Sequence, residues 1–349
     1  MRAYRIIEWG APPRAVEVPA PEPGPGQVLV RVGGCGLCRS DLRMPHLGAA
    51  AAHLGWTLPF TLGHETAGWI AELGPGVTGW APGDPVALVS ATSCGTCWHC
   101  LRGLDSACPR GRTGRGYGRD GGLADHVLVE HPRGLLRLGG LDPRTAGPLT
   151  DAGATAYHAV RRALPRIAPD GTVAVLGAGG LGGFAIQFLR ALTAARVVAV
   201  DVAASALERA GSLGAHETLS GVDGTTARAL RKLSGGRGVD AVLDFVGVDQ
   251  TIAAGLAALR PAGAYGLVGA GGGRLDAPWF GTLPADAEIF THQGSTIADA
   301  QEVLALAAAG LVRNEVVEFP FDQVADAYDR LAAGTLAARA VITLTPPPS

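Results

Sequence analysis

The run from Thr172 to Asp201 constrains this chain more than any other, because it prescribes a strand, a glycine turn, a helix, a second strand and an acid in that order. Thr172-Val-Ala-Val-Leu is a short β-branched segment of the kind that forms a strand buried on both faces. It ends in Gly177-Ala-Gly179-Gly-Leu-Gly182. In that G-x-G-x-x-G pattern the first glycine permits the tight turn and the second lets backbone approach a pyrophosphate. The third lets the next helix pack closely on its strand. Gly177, Gly179, Gly180, Leu181 and Gly182 thus open a helix predicted over 180–194, whose free N–H groups and dipole favour an anion. A second strand, Arg196-Val-Val-Ala-Val, ends at Asp201, where a carboxylate accepts hydrogen bonds from ribose hydroxyls. The spacing points to a dinucleotide.

From about residue 153 strands alternate with alanine-rich amphipathic helices. Helices are expected over 203–213, 225–233 and 249–259, and further strands over 215–219, 239–245, 264–268 and 288–291. Six strands with helical crossovers predict an α/β, doubly wound parallel sheet of Rossmann type. Residues before 150 read differently. Short β-like runs such as Gln27-Val-Leu-Val-Arg-Val and Asp125-His-Val-Leu-Val alternate with turn signals such as Pro23-Gly-Pro-Gly, which predicts an irregular, barrel-like β domain. Beyond 294 one helix over 298–309 and a strand-like Ala340-Val-Ile-Thr-Leu are expected to return and complete that first domain.

With 349 residues the chain is long enough for two cores. Its net charge is −2 and it has no run of Lys or Arg, which argues against a nucleic-acid partner. Arg5 and Glu8 stand where a signal peptide needs an apolar stretch, and no apolar run approaches the roughly eighteen residues of a membrane span. The expected location is cytoplasmic, with no membrane partner.

There are six cysteines, and four of them crowd into Cys94-x-x-Cys97-x-x-Cys100-x7-Cys108. Disulfides persist poorly in the cytosol, whereas four thiolates satisfy tetrahedral zinc and leave no position for substrate, so this site reads as structural. A second constellation is dispersed: Gly36-Leu-Cys38-Arg-Ser40-Asp41, Gly63-His64-Glu65 and Pro148-Leu-Thr-Asp151-Ala-Gly. Its members carry weight only together.

These motifs, in this order, resemble the zinc-dependent medium-chain alcohol dehydrogenases, and the likeness covers nearly the whole chain. The pattern is most similar to the bacterial NAD-dependent secondary-alcohol dehydrogenases, in which an Asp replaces the more familiar third Cys ligand. The resemblance implies a GroES-like catalytic domain over 1–152 and 291–349, a Rossmann domain over 153–290, and an active cleft where they meet. It makes Cys38, His64 and Asp151 the catalytic zinc ligands, with Glu65 an occasional fourth. Asp41 would orient His64 from behind. Ser40 would hand the substrate proton onward, and Arg39 matches a position that contacts the cofactor pyrophosphate in some members. Val246, after the fourth strand, and Val268, at the end of the fifth, are assigned to cofactor contact. Arg43 stands where many members carry the His that takes the relayed proton; His46 and His53 are alternatives. Cys35 matches no role and reads as a buried structural thiol.

The expected function is therefore zinc-dependent interconversion of secondary alcohols and ketones with NAD, using two zinc ions per chain. Asp201, followed by Val202-Ala-Ala-Ser without a basic residue, favours NAD over NADP. Polyols, amino alcohols or imines are alternative substrates, with Trp56, Phe60, Leu62, Trp279 and Gln293 as guesses at the pocket. A non-catalytic zinc- and nucleotide-binding redox sensor is the rival from another class, although it would have no need of Cys38, Ser40, His64 and Asp151 together. A homotetramer or dimer follows from the resemblance alone.

Overall fold

The computed structural model describes residues 1–344 apart from Ala91 and Ala277. The chain divides into two compact units, Thr155–Gln293 and the remainder, made of Met1–Ala154 with the segment from Gly294 onward.

In the Thr155–Gln293 unit every residue of strand Thr172–Leu176 is buried, as a strand covered on both faces must be. It lies at the middle of a six-stranded sheet whose order is Glu217–Ser220, Arg196–Asp201, Thr172–Leu176, Val239–Asp244, Leu259–Leu267, Glu288–Thr291. All five pairings are parallel. The strand order reverses between the Thr172 and Val239 strands, which is where doubly wound sheets bind ligands. Helix Gly180–Leu192 seals one face with Phe184, Ile186, Phe188 and Leu189. Val198, Val200, Val242, Ile252 and Tyr265 belong to the core around the central strands.

Element ends differ from expectation by a few residues. The fifth strand begins at Leu259 rather than 264, because Leu259 already pairs with Val239 before a register shift. The third begins at Glu217, since the Ala215 N–H is spent closing the preceding helix on Ala210 O.

The other unit is built on a mixed sheet in the order Leu135–Arg137, Pro85–Leu88, Glu65–Leu73, Val28–Gly36, Arg339–Thr343, Val316–Pro320, with His126–Val129 also pairing to Val28–Gly36. The return of the C-terminal segment is explicit in the register: Val341 lies opposite Gly36, Ile342 opposite Cys35 and Thr343 opposite Gly34. Val28, Val30, Val32, Phe60, Leu62, Ile70 and Leu88 share a core with Phe319 and Ile342 from that segment. Three helices went unexpected, the shortest of them Ala49–His53. Ala152–Ala163 leads out of the Asp151 segment, and Val324–Ala333 buries Val324, Ala327 and Tyr328 at helical spacing. Among the described residues no helix is long and apolar enough to cross a membrane.

Candidate active site and metal centres

Three segments of one unit meet at the dispersed constellation. Strand Val28–Gly36 ends and the chain turns so that the Asp41 carboxylate accepts the Cys38 N–H at 3.0 Å, which locks Cys38, Arg39, Ser40 and Asp41 into one tight loop. His64 and Glu65 lie at the start of strand Glu65–Leu73. Asp151 follows the helical turn Gly147–Thr150 and precedes helix Ala152–Ala163. Gly36 is required here, since a Cβ at this position would lie 2.1 Å from Glu65 Oε2.

One donor atom each from Cys38, His64, Glu65 and Asp151 lies within 4.8 Å of all the others. His64 is enclosed: Nδ1 lies 3.2 Å from Asp41 Oδ1 and Nε2 lies 3.5 Å from Asp151 Oδ2. The Nδ1 contact has the distance of an ion pair without the alignment of a hydrogen bond. Burial disfavours a charged imidazole, but Tyr117, Asp41 and Asp151 outweigh it and hold His64 above its ordinary value. Asp151 moves the other way. Burial would raise it, yet the His64 contact, Arg339 and a 3.0 Å hydrogen bond from Ser90 Oγ keep it below the usual carboxylate range.

Glu65 is fully buried, and that burial lifts it to about 7 against the pull of Arg339, which donates to Oε1. Its Oε2 has no hydrogen-bond partner among the described residues. A buried, unpartnered carboxylate oxygen is costly unless a cation serves it. A thiol, an imidazole and carboxylates converging at this range form a donor set that suits zinc.

The four clustered cysteines fit zinc more tightly still. Their sulfur atoms are 3.5 Å apart for Cys97–Cys100 and 3.9 Å apart for Cys94–Cys100 and Cys97–Cys108. Four sulfurs about 2.3 Å from a tetrahedral zinc ion stand about 3.8 Å apart, far beyond a disulfide bond. Hydrogen bonds from the Thr96 backbone and hydroxyl lower Cys94 to about 5, and Cys97 is lowered by the Cys100 backbone, so both favour the thiolate that a metal needs. Burial drives Cys100 up to about 11. Cys35 stands apart, buried beside Thr66 and pushed up to about 12 by that burial.

In the other unit the glycine turn is dictated by contact. Gly177 has φ +86°, and a Cβ on Gly182 would lie 1.9 Å from Gly177 O. Gly179 caps helix Gly180–Leu192 with open space on its side-chain face, as close approach by a ligand requires. Asp201 braces the turn, accepting from Ala178 N at 2.7 Å and Ala203 N at 2.9 Å. Each carboxylate oxygen keeps a further lone pair for another donor. Val246 Cγ2 lies against Gly177, and Val268 N–H bonds Asp244 O at the end of the neighbouring strand.

This turn and these strand ends have the shape that a dinucleotide would need. Family models for the alcohol dehydrogenase GroES-like domain and the zinc-binding dehydrogenase domain match residues 24–139 and 180–309. The NAD-dependent alcohol dehydrogenase of Sulfurisphaera tokodaii is 35% identical over 340 residues, 95% of this chain and 96% of that one. The chain belongs to the zinc-dependent medium-chain alcohol dehydrogenases. As a member of that family it is an oxidoreductase. A D-arabinose 1-dehydrogenase (NADP(+)) of Saccharolobus solfataricus is 32% identical over 98% of this chain and 97% of its own length. The crystal structure of the alcohol dehydrogenase from Aeropyrum pernix superposes with a TM-score of 0.90 at 34% identity, covering 98% of this chain and all of that one.

The pocket guesses at Phe60 and Leu62 do not hold. Phe60 and Leu62 are each 1% exposed and belong to the hydrophobic core, so neither is available as pocket lining. Trp56 is also buried, its indole N–H held by Arg112 O at 2.7 Å, whereas Trp279 and Gln293 are exposed in the other unit. His46 and His53 are exposed at the ends of two short helical segments. Arg39 is exposed.

Four partners were invisible in the sequence reading. Tyr328 donates to Asp41 Oδ2 at 3.0 Å, Arg339 holds Glu65, Ser90 holds Asp151, and Tyr117 lies against His64. Only Tyr117 had a local signal, a phenol in the glycine-dense stretch from Gly114 to Gly122.

Proposed function

We propose that this enzyme interconverts secondary alcohols and ketones with NAD as hydride partner, that Cys38, His64 and Asp151 hold a catalytic zinc ion with Glu65 beside it, and that Cys94, Cys97, Cys100 and Cys108 hold a second, structural one. The carrying observation is the convergence of a thiol, an imidazole and carboxylates within 4.8 Å, beside a loop that also presents the Ser40 hydroxyl. Three protein ligands leave an open position, whereas four cysteines do not. Zinc in the first site supplies Lewis acidity toward the substrate oxygen, and NAD supplies the hydride acceptor. The protein does the rest. Asp41, itself held by Tyr328 and the Cys38 N–H, fixes His64; Arg339 neutralises Glu65; Ser90 orients Asp151; and Ser40 takes the hydroxyl proton in oxidation and returns it in reduction.

Residues 1–152 with 291–349 are assigned the metal chemistry and 153–290 the cofactor. Asp201 supports NAD, because a 2′-phosphate would face its carboxylate. A second reading, oxidation of a sugar or polyol, is favoured by the D-arabinose dehydrogenase among the relatives. We assign it to the cytoplasm, where thiols stay reduced and available to a metal, and a homotetramer is the assembly we assign on resemblance. The test is NADH formation with small secondary alcohols, primary alcohols and aldoses. Secondary alcohols should give the highest kcat/KM. Turnover confined to aldoses would select the second reading, and no turnover with zinc-loaded protein would reject both.

A further inference from the structure

The Tyr117 hydroxyl has no part in the mechanism above, yet it lies 3.3 Å from Ser40 Oγ and 3.1 Å from His64 Nε2. Its ring stacks on the imidazole at 4.5 Å and 29°, and Trp56 braces it at 5.9 Å. The loop beneath is tightly held. Tyr117 and Gly114 exchange two backbone hydrogen bonds of 2.8 Å, and Gly118 is pressed so closely to Trp56 that a Cβ there would lie 2.6 Å from the indole. The phenol is therefore aimed by hydrogen-bonded backbone and packed rings.

We propose that Tyr117 is a further catalytic residue, whose hydroxyl donates a second hydrogen bond to the substrate oxygen served by Ser40. The inference rests on the alcohol dehydrogenase reading of this site. A phenol has one proton to give. Nε2 accepts it only while its lone pair is free, and a metal ligand commits that lone pair. The Tyr117 proton then needs another acceptor. A substrate oxygen bonded to Ser40 beside His64 would lie next to the two atoms that Tyr117 Oη touches. Donation to that oxygen satisfies the phenol and leaves Ser40 free to pass its own proton onward. Two hydroxyls then stabilise the negative charge that grows on the oxygen. The rival arrangement has Tyr117 donating to Ser40 alone, orienting it without touching substrate.

Tyr117→Phe removes only the hydroxyl and should lower kcat roughly a hundredfold, the scale of one oxyanion donor, with zinc content and NADH affinity unchanged. Trifluoroethanol, an unreactive alcohol, should bind the enzyme–NAD complex about tenfold more weakly, a readout independent of turnover. A double-mutant cycle separates direct from indirect action. If Tyr117 touches substrate, adding Tyr117→Phe to Ser40→Ala should cost a further factor of roughly ten or more; if it acts only through Ser40, the second change should cost nothing. A Tyr117→Phe enzyme within about threefold of the parent, a cycle showing no further loss, or loss of zinc from the variant would each overturn the proposal. Should the parent itself fail to turn over any alcohol, it is the functional reading that falls.

Discussion

Asp151 shows how much of this site is decided by single atoms. Its carboxylate is drawn below the usual range by His64, Arg339 and Ser90, so it stays ionised and ready for a cation. Asp151→Ala should therefore fold, bind NADH, retain about one zinc ion per chain and lose nearly all turnover. Two zinc ions with normal activity, measured by atomic absorption and NADH formation, would remove Asp151 from the ligand set. Asp201 carries the second prediction at this scale. Its oxygens are already spent partly on Ala178 and Ala203, so the carboxylate is fixed in place and cannot swing away from a 2′-phosphate. NAD should be preferred to NADP in kcat/KM by at least about tenfold, and equal use of the two cofactors would contradict the assignment.

At the scale of elements, helix Gly180–Leu192 depends on one close approach to its strand. A Cβ on Gly182 would lie 1.9 Å from a backbone oxygen, which cannot move aside as a side-chain end can. Gly182→Ala should cost about 1–3 kcal/mol of stability and weaken NADH binding, while the zinc content stays that of the parent. Unchanged denaturation and NADH titration would show that the turn tolerates the methyl group. Helix Val324–Ala333 is the contrasting case. It was not anticipated, although Val324, Ala327 and Tyr328 recur at helical spacing and Gly334 ends it at φ +69°, and its value lies in the Tyr328 bond to Asp41. A pattern can announce a helix; it does not say which carboxylate the helix will reach.

For the whole molecule, the two proposed metal centres should part under a chelator. The site with one thiol, an imidazole and carboxylates is less thiophilic than the all-cysteine site, and its ligands come from three separate segments. A chelator series should abolish turnover while the thermal midpoint is still unchanged, and only later lower the midpoint as the Cys94–Cys108 loop empties. Simultaneous loss of both would contradict this ordering. The sequence by itself determined what depends on neighbours along the chain: the glycine turn and its strands, the parallel sheet, and a cysteine loop whose four thiols sit a few residues apart. Backbone geometry makes such features local, so spacing alone carries them. Only the tertiary structure decided what depends on distant segments meeting: Arg339 on Glu65, Tyr328 on Asp41, Ser90 on Asp151 and Tyr117 between Ser40 and His64. The physical reason is that a buried polar atom must find its partner through space, and the sheet register that brings strand Arg339–Thr343 beside Gly36 has no counterpart in sequence distance.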